Sequence, residues 1–259
     1  MKPLYALVVF CLLISQLSTA QTNKMPGSYK MLKQTAVGEA GDTAFSNDQF
    51  KIYTDDHFIF VVQHTNDSLC DYGIGTYKNT SNSVLEKMIH STFSDIAPSE
   101  DIVLKITKLP KGYRQAIVFK DSANRDYLLT EDYENVSKKM SSPLDGAWKQ
   151  TKFEYISKTD SVSFDDIRQY KVYQSGHFVW ATTRTDSATN KPISFFGYGT
   201  FKMDGKNSFT ETNQNSTFAS ELVGKPMLIK LEMMGPDAFQ QTTVSADGGI
   251  GKETYERMK

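Results

Sequence analysis

The 259-residue chain has only two cysteines, and one of them, Cys11, lies inside an N-terminal apolar run. Cys70 is then the only thiol outside that run, so no internal disulfide is available and stability must come from an ordinary core. Charge of one sign is lacking too: 29 Lys and Arg face 30 Asp and Glu, with no run of five like charges. This balance excludes the concentrated basic face that nucleic-acid phosphates require, and it provides no charged tail as a partner handle. Long apolar runs are absent beyond the opening MKPLYALVVFCLLISQLSTA. That stretch has Lys2, an apolar run from Leu4 to Ile14 and the small-residue ending Ser18-Thr19-Ala20, the pattern of a secretory signal cleaved after Ala20. Its apolar part is shorter than the roughly 20 residues that span a bilayer, and Phe10 before Cys11 stands where a lipoprotein signal needs a small residue. The expectation is a secreted or periplasmic protein with no transmembrane segment in the mature chain.

What the sequence does contain is itself, twice. DQFKIYTDDHFIFV at 48–61 is echoed by RQYKVYQSGHFVWA at 168–181, GSYK at 27–30 by GAWK at 146–149, and YGIGTYK at 72–78 by FGYGTFK at 196–202. NSVLE at 82–86 answers to NSFTE at 207–211, STF at 91–93 to STF at 216–218, and EDYEN at 131–135 to ETYER at 253–257. The order is kept throughout, which gives a repeat of about 110 residues, far beyond the roughly 20 to 50 of solenoids and propellers. A unit of that size can own a core. The polar stretch SKKMSSPLD at 137–145, with Pro143, reads as a linker between 21–136 and 146–259.

Inside each copy the periodicity is two. Short β-rich runs fall near 27–36, 48–54, 57–64, 71–78, 83–90, 101–108, 112–119 and 125–136, and TDD and QSG read as tight turns. No amphipathic stretch is long enough for a major helix. Eight short antiparallel strands can close into an up-and-down barrel, which removes exposed sheet edges. The predicted fold is all-β, two tandem eight-stranded antiparallel up-and-down barrels. Such an interior is either filled by side chains or holds one small ligand.

The GAWK opening, HFVW, FGYGTFKMDGKNSFTE, LVGKP and the closing ETYER of copy two resemble the lipocalin-like, calycin-type family of uncharacterised secreted bacterial proteins. Copy one is similar but more diverged, so the resemblance implies a tandem pair of lipocalin-like barrels. In such a barrel Trp148 plugs the closed end, Arg257 lies over its indole face as a cation–π partner, and the guanidinium bonds nearby carbonyls. Copy one has Tyr29 and Asn135 at these two places.

Candidate site residues are those matched between copies. His57 and His177 are each a satisfied strand histidine or a ligand contact, and no second His or Cys stands at metal-ligand spacing. Glu86 and Glu211 are buried acids or polar anchors if they face inward, unless Lys or Arg pairs with them, and are merely solvated if they face outward. Alternation puts Phe58 and Phe60 on one face and Phe178 and Trp180 on its equivalent, with Tyr72 and Tyr198 in a similar set on the next strand. These aromatics are a packed core or a lining for a sugar ring or small amphiphile. The glycines at 73, 75, 197 and 199 allow a sharp bend or the approach of a neighbouring ring.

Three functions compete at this level. The first is binding of a small hydrophobic or glycan-derived ligand, chiefly in copy two, oriented by Glu211, His177 and Tyr198. The second is a solid-core module whose surface meets an envelope protein. The third is an enzyme with Glu211 and His177 as acid and base, or a haem protein ligated by His177. No cofactor is called for by the leading reading.

Overall fold

The computed structural model describes residues 25–38, 41–65, 70–93, 101–120, 124–165, 167–245 and 247–259. The expected signal at 1–20 lies outside the described residues. Strands β1 (Gly27–Gly38), β2 (Gly41–Phe45), β3 (Asp48–Tyr53), β4 (His57–Gln63), β5 (Cys70–Asn79), β6 (Ser83–Ser91), β7 (Asp101–Leu109), β8 (Gly112–Lys120) and β9 (Asp126–Asn135) form one antiparallel sheet. A second sheet repeats it with β10 (Gly146–Ile156), β11 (Ser161–Asp165), β12 (Gln169–Gln174), β13 (His177–Thr185), β14 (Pro192–Met203), β15 (Ser208–Ser216), β16 (Pro226–Met233), β17 (Ala238–Val244) and β18 (Ile250–Arg257). Each sheet closes on itself, β1 on β9 and β10 on β18.

The eight positions expected around each barrel are present, but one of them is shared by two short strands. β2 pairs with the distal half of β1 and β3 with its proximal half, so together they occupy one place in the ring. β2 escapes sequence detection because all five of its residues are exposed and no inside–outside alternation marks it.

In both barrels an aromatic residue near the start of the first strand bonds a carbonyl four residues upstream. Trp148 is fully buried, its Nε1 donates to the Leu144 carbonyl at 2.7 Å, and the Arg257 guanidinium lies 4.0 Å from the ring centre. Arg257 Nη1 also donates to the Asp145 carbonyl at 3.0 Å, which ties β18 to the residues just before β10. In barrel 1 the Tyr29 hydroxyl reaches the Met25 carbonyl at 3.0 Å, again four residues upstream. The Tyr29 and Asn135 exchange therefore keeps the carbonyl bond, and β1 still pairs with β9 from Tyr29–Asn135 to Val37–Leu128.

The two barrels share an apolar face. Phe50, Ile52, Ile59, Val61 and Ile74 of barrel 1 form one cluster with Tyr170, Val172, Val179, Ala181 and Phe196 of barrel 2. Each contributing strand meets its own counterpart, β3 with β12, β4 with β13 and β5 with β14. These strands are thus buried on both sides, the inner side in a barrel core and the outer side against the other barrel. At one end of the interface Asp48 Oδ2 accepts from the Tyr198 hydroxyl at 2.5 Å and from Asn215 Nδ2 at 2.8 Å. At the other end Arg168 stands near Tyr72 and His90, and its charge adds to burial in lowering the His90 imidazole.

His177 belongs to this interface, with its ring 5.7 Å from that of Phe50. Burial lowers its pKa from 6.5 to about 4, with Lys138 acting in the same sense and the Ser175 carbonyl opposing. A folded-state value below the unfolded one means that the unfolded chain binds the proton more readily, so stability is full above pH 6.5 and declines as the pH falls towards 4. His177→Phe should accordingly lose about 3 kcal/mol less than wild type in urea melts between pH 7 and pH 4. Parallel pH profiles for the two proteins would contradict this.

Candidate functional site

The interior of each barrel combines aromatic packing with one buried polar network, and most of its members are matched between the copies, although Phe153 stands in barrel 2 where barrel 1 has Gln34. In barrel 1 Lys51 Nζ lies 2.7 Å from Glu86 Oε1, and the Tyr53 hydroxyl donates to the same carboxylate. Glu131 accepts from Gln34 Nε2 at 2.6 Å and from the Tyr133 hydroxyl at 2.9 Å, with Gln115 Nε2 as a third donor. In barrel 2 Lys171 Nζ lies 2.8 Å from Glu211 Oε1, Tyr173 donates to Glu211 at 2.7 Å, and Gln241 and Tyr255 donate to Glu253. Lys51 and Lys171 are 2% and 3% exposed, values at which a charge survives only if it is paired. Their ammonium groups also face Tyr53 and Phe58, and Tyr173 and Phe178, at 5.0 to 5.5 Å from the ring centres. Burial, followed by the charge of the adjacent carboxylate, raises the Tyr53 and Tyr173 phenols well above their usual value, so both stay protonated as donors.

Above the barrel 1 network is a cavity of about 200 Å³. Its floor is polar, with Lys51, Glu86, Gln115 and Glu131, and its walls include Phe60, Met88, Leu104, Ile117 and Phe119. His64 also lines it and is tied to Asp71 Oδ2 at 2.9 Å. The glycines of β5 shape this space. A Cβ at Gly73 would sit 2.6 Å from the Phe60 ring, and one at Gly75 would sit 2.1 Å from the Lys87 carbonyl. Gly73 therefore lets the ring lie back on β5, while Gly75 lets β6 approach at the bulge where the β5–β6 register shifts. In barrel 2 Trp180 lies over Gly197 in the same manner.

The expected site residues separate into two groups. Phe58, Phe60, Glu86, Phe178, Trp180 and Glu211 face the barrel interiors, and Phe60 and Glu86 line the cavity. His57, His177, Tyr72 and Tyr198 do not. They lie on the opposite strand faces, where Tyr72 and Tyr198 join the inter-barrel cluster and Tyr198 stacks on Phe50 at 4.6 Å. His57 Nδ1 meets Asp56 Oδ1 at 2.7 Å, and among the described residues its buried Nε2 has no partner. The acid–base pairing of Glu211 with His177 is corrected by this geometry, since strand alternation puts one inside barrel 2 and the other outside it. Haem ligation from inside the barrel by His177 fails for the same reason.

Sequence reasoning missed Lys51, Gln49, Gln115, Glu131 and Tyr133. The signal was available. Lys51 and Lys171 interrupt otherwise aromatic and β-branched strands in both copies, and Glu131 with Tyr133 recurs as Glu253 with Tyr255.

Residues 143–259 match a domain of unknown function, DUF4488. No curated protein matches. Among solved structures, a protein of unknown function from the DUF3598 family of Nostoc punctiforme is similar over 90% of this chain and 96% of its own, at 11% identity and a TM-score of 0.26. A variant of transferrin-binding protein B, a vaccine antigen from Haemophilus parasuis, is similar over 88% of this chain and 66% of its own, at 12% identity and a TM-score of 0.27. Overlaps at this level carry no argument about function.

The Lys51–Glu86 pair gives a direct test of the network. Glu86→Leu alone leaves an ammonium buried without its partner and should cost about 3–5 kcal/mol in urea denaturation. Lys51→Met combined with Glu86→Leu should recover most of that loss. A double variant as unstable as the sum of the two single ones would show that the charges are not coupled.

Proposed function

We propose that the protein is a secreted or periplasmic binding protein made of two lipocalin-like barrels, split at 137–145, and that barrel 1 holds a small, largely apolar ligand. The observation that carries this reading is the cavity of about 200 Å³ with apolar walls and a polar floor. Its size sets a limit on the ligand. An engineered apolar cavity of roughly 150 Å³ admits benzene, whereas drug-sized ligands occupy about 300–1,000 Å³. The occupant is thus a single ring or a short chain, and a haem macrocycle or an oligosaccharide is too large. Hydrophobic transfer supplies the affinity, and the amides of Gln34, Asn47 and Gln49 at the polar end set the orientation.

Barrel 2, favoured from sequence alone, serves in this reading as the supporting member. Phe178, Phe201, Phe209 and Phe239 pack its interior, and its outer face buries that of the ligand-binding barrel. The secretion signal at 1–20 supplies the route, and no helix among the described residues is long and apolar enough to cross a membrane.

Native mass spectrometry of protein from its own host, beside the same sample denatured, tests the reading. A small added mass that is lost on denaturation, and absent from an Ile117→Phe variant that fills the cavity, is the expected result. A bare mass for both proteins, together with a melting temperature that no small apolar compound shifts, would return weight to a solid interaction module.

A further inference from the structure

The floor of the barrel 1 cavity carries an unbalanced charge. Lys51, Glu86 and Glu131 are all at least nine-tenths buried. Lys51 and Glu86 neutralise each other at 2.7 Å. Glu131 is reached by three donors, Gln34, Gln115 and Tyr133, and all three are neutral.

The network also shows which way each donor points. Gln34 Oε1 accepts from Asn47 Nδ2 at 3.0 Å and Gln115 Oε1 accepts from Lys51 Nζ at 3.4 Å, so both amides present their NH2 groups to Glu131. Tyr133 accepts from Gln49 Nε2, which leaves its own proton for Glu131. Every polar neighbour of this carboxyl group therefore acts as a donor to it. The hydrogen bonds satisfy its lone pairs without cancelling its charge, and a buried charge calls for a counter-charge. Glu131 also lines the cavity, where Phe60, Phe93 and Phe119 present aromatic surface.

We infer that the ligand of this cavity is a small organic cation, an ammonium on an apolar body no larger than one ring or a short chain. The inference rests on the binding function proposed above and names its chemical class. The ammonium lies against Glu131 and the body lies among the aromatic walls, which also attract cations through their faces. An anionic ligand is disfavoured, because among the described residues lining the cavity the one lysine is already neutralised by Glu86 and His64 is tied to Asp71. In barrel 2 the corresponding Glu253 is half-buried and keeps contact with water, so its charge needs no guest.

An isosteric series decides the matter: hexylammonium, hexan-1-ol and hexanoate, each titrated calorimetrically into the full protein at neutral pH. Hexylammonium should bind at least about tenfold tighter than the alcohol, with hexanoate weakest. Glu131→Gln should erase the preference of hexylammonium over hexan-1-ol, and Ile117→Phe should abolish all binding. The wild-type series is decisive even if the Glu131 variant does not fold. Equal affinity for hexanol and hexylammonium would overturn the charge inference and leave the cavity reading standing, whereas no binding by any of the three would overturn both. Hexylammonium binding that survives Ile117→Phe would place the site elsewhere and overturn the inference as well.

Discussion

Everything in this molecule depends on a few strands being buried on both faces. β3, β4 and β5 turn one face into barrel 1 and the other onto β12, β13 and β14, which do the same in reverse. Antiparallel strands more often keep one face in water. Here the second face is covered by the sister barrel, so β4 runs buried from His57 to Val62 without a break. The pleat then assigns each side chain to one of two different interiors. Phe58 and Phe60 go to a barrel core, and Ile59 and Val61 go to the joint between barrels.

That arrangement explains what was legible in the sequence. The duplication, the all-β class and the eight ring positions follow from matched motifs and period-two runs, which depend on local patterning alone. The Trp148–Arg257 plug was legible through the resemblance of the GAWK opening and the ETYER ending to the lipocalin-like pattern, and not through the repeat, since copy one has Tyr29 and Asn135 there. The side of the strands on which Tyr72, Tyr198, His57 and His177 lie was not legible. Alternation says that neighbours face opposite ways, but it does not say which of two buried sides is the inside of a barrel. One clue was present in the unbroken apolar run Phe58-Ile59-Phe60-Val61-Val62, which is what a strand covered on both sides looks like.

The polar network has the same logic at shorter range. A lysine in the middle of an aromatic strand is costly to bury, so its recurrence as Lys51 and Lys171 implies a fixed partner in each copy. Glu86 and Glu211 are those partners, and they come from strands far apart in sequence. Pairing across the ring can be seen only once the barrel is closed. The cavity is a further step removed, because it depends on how far Phe60 and Phe119 stop short of filling the space, and residue type alone does not encode that.

The counterpart-to-counterpart contact of the barrels has an evolutionary implication. A surface that meets its own equivalent is what a two-fold homodimer uses, and joining two such copies in one chain releases each from having to be self-complementary. The ends of the joint show that release, with a carboxylate at Asp48 and a guanidinium at Arg168 in equivalent places. Once the halves no longer had to be identical, one could lose interior bulk while the other kept a packed core to hold it up. A single polypeptide built in this way can specialise one half without putting the stability of the whole at risk.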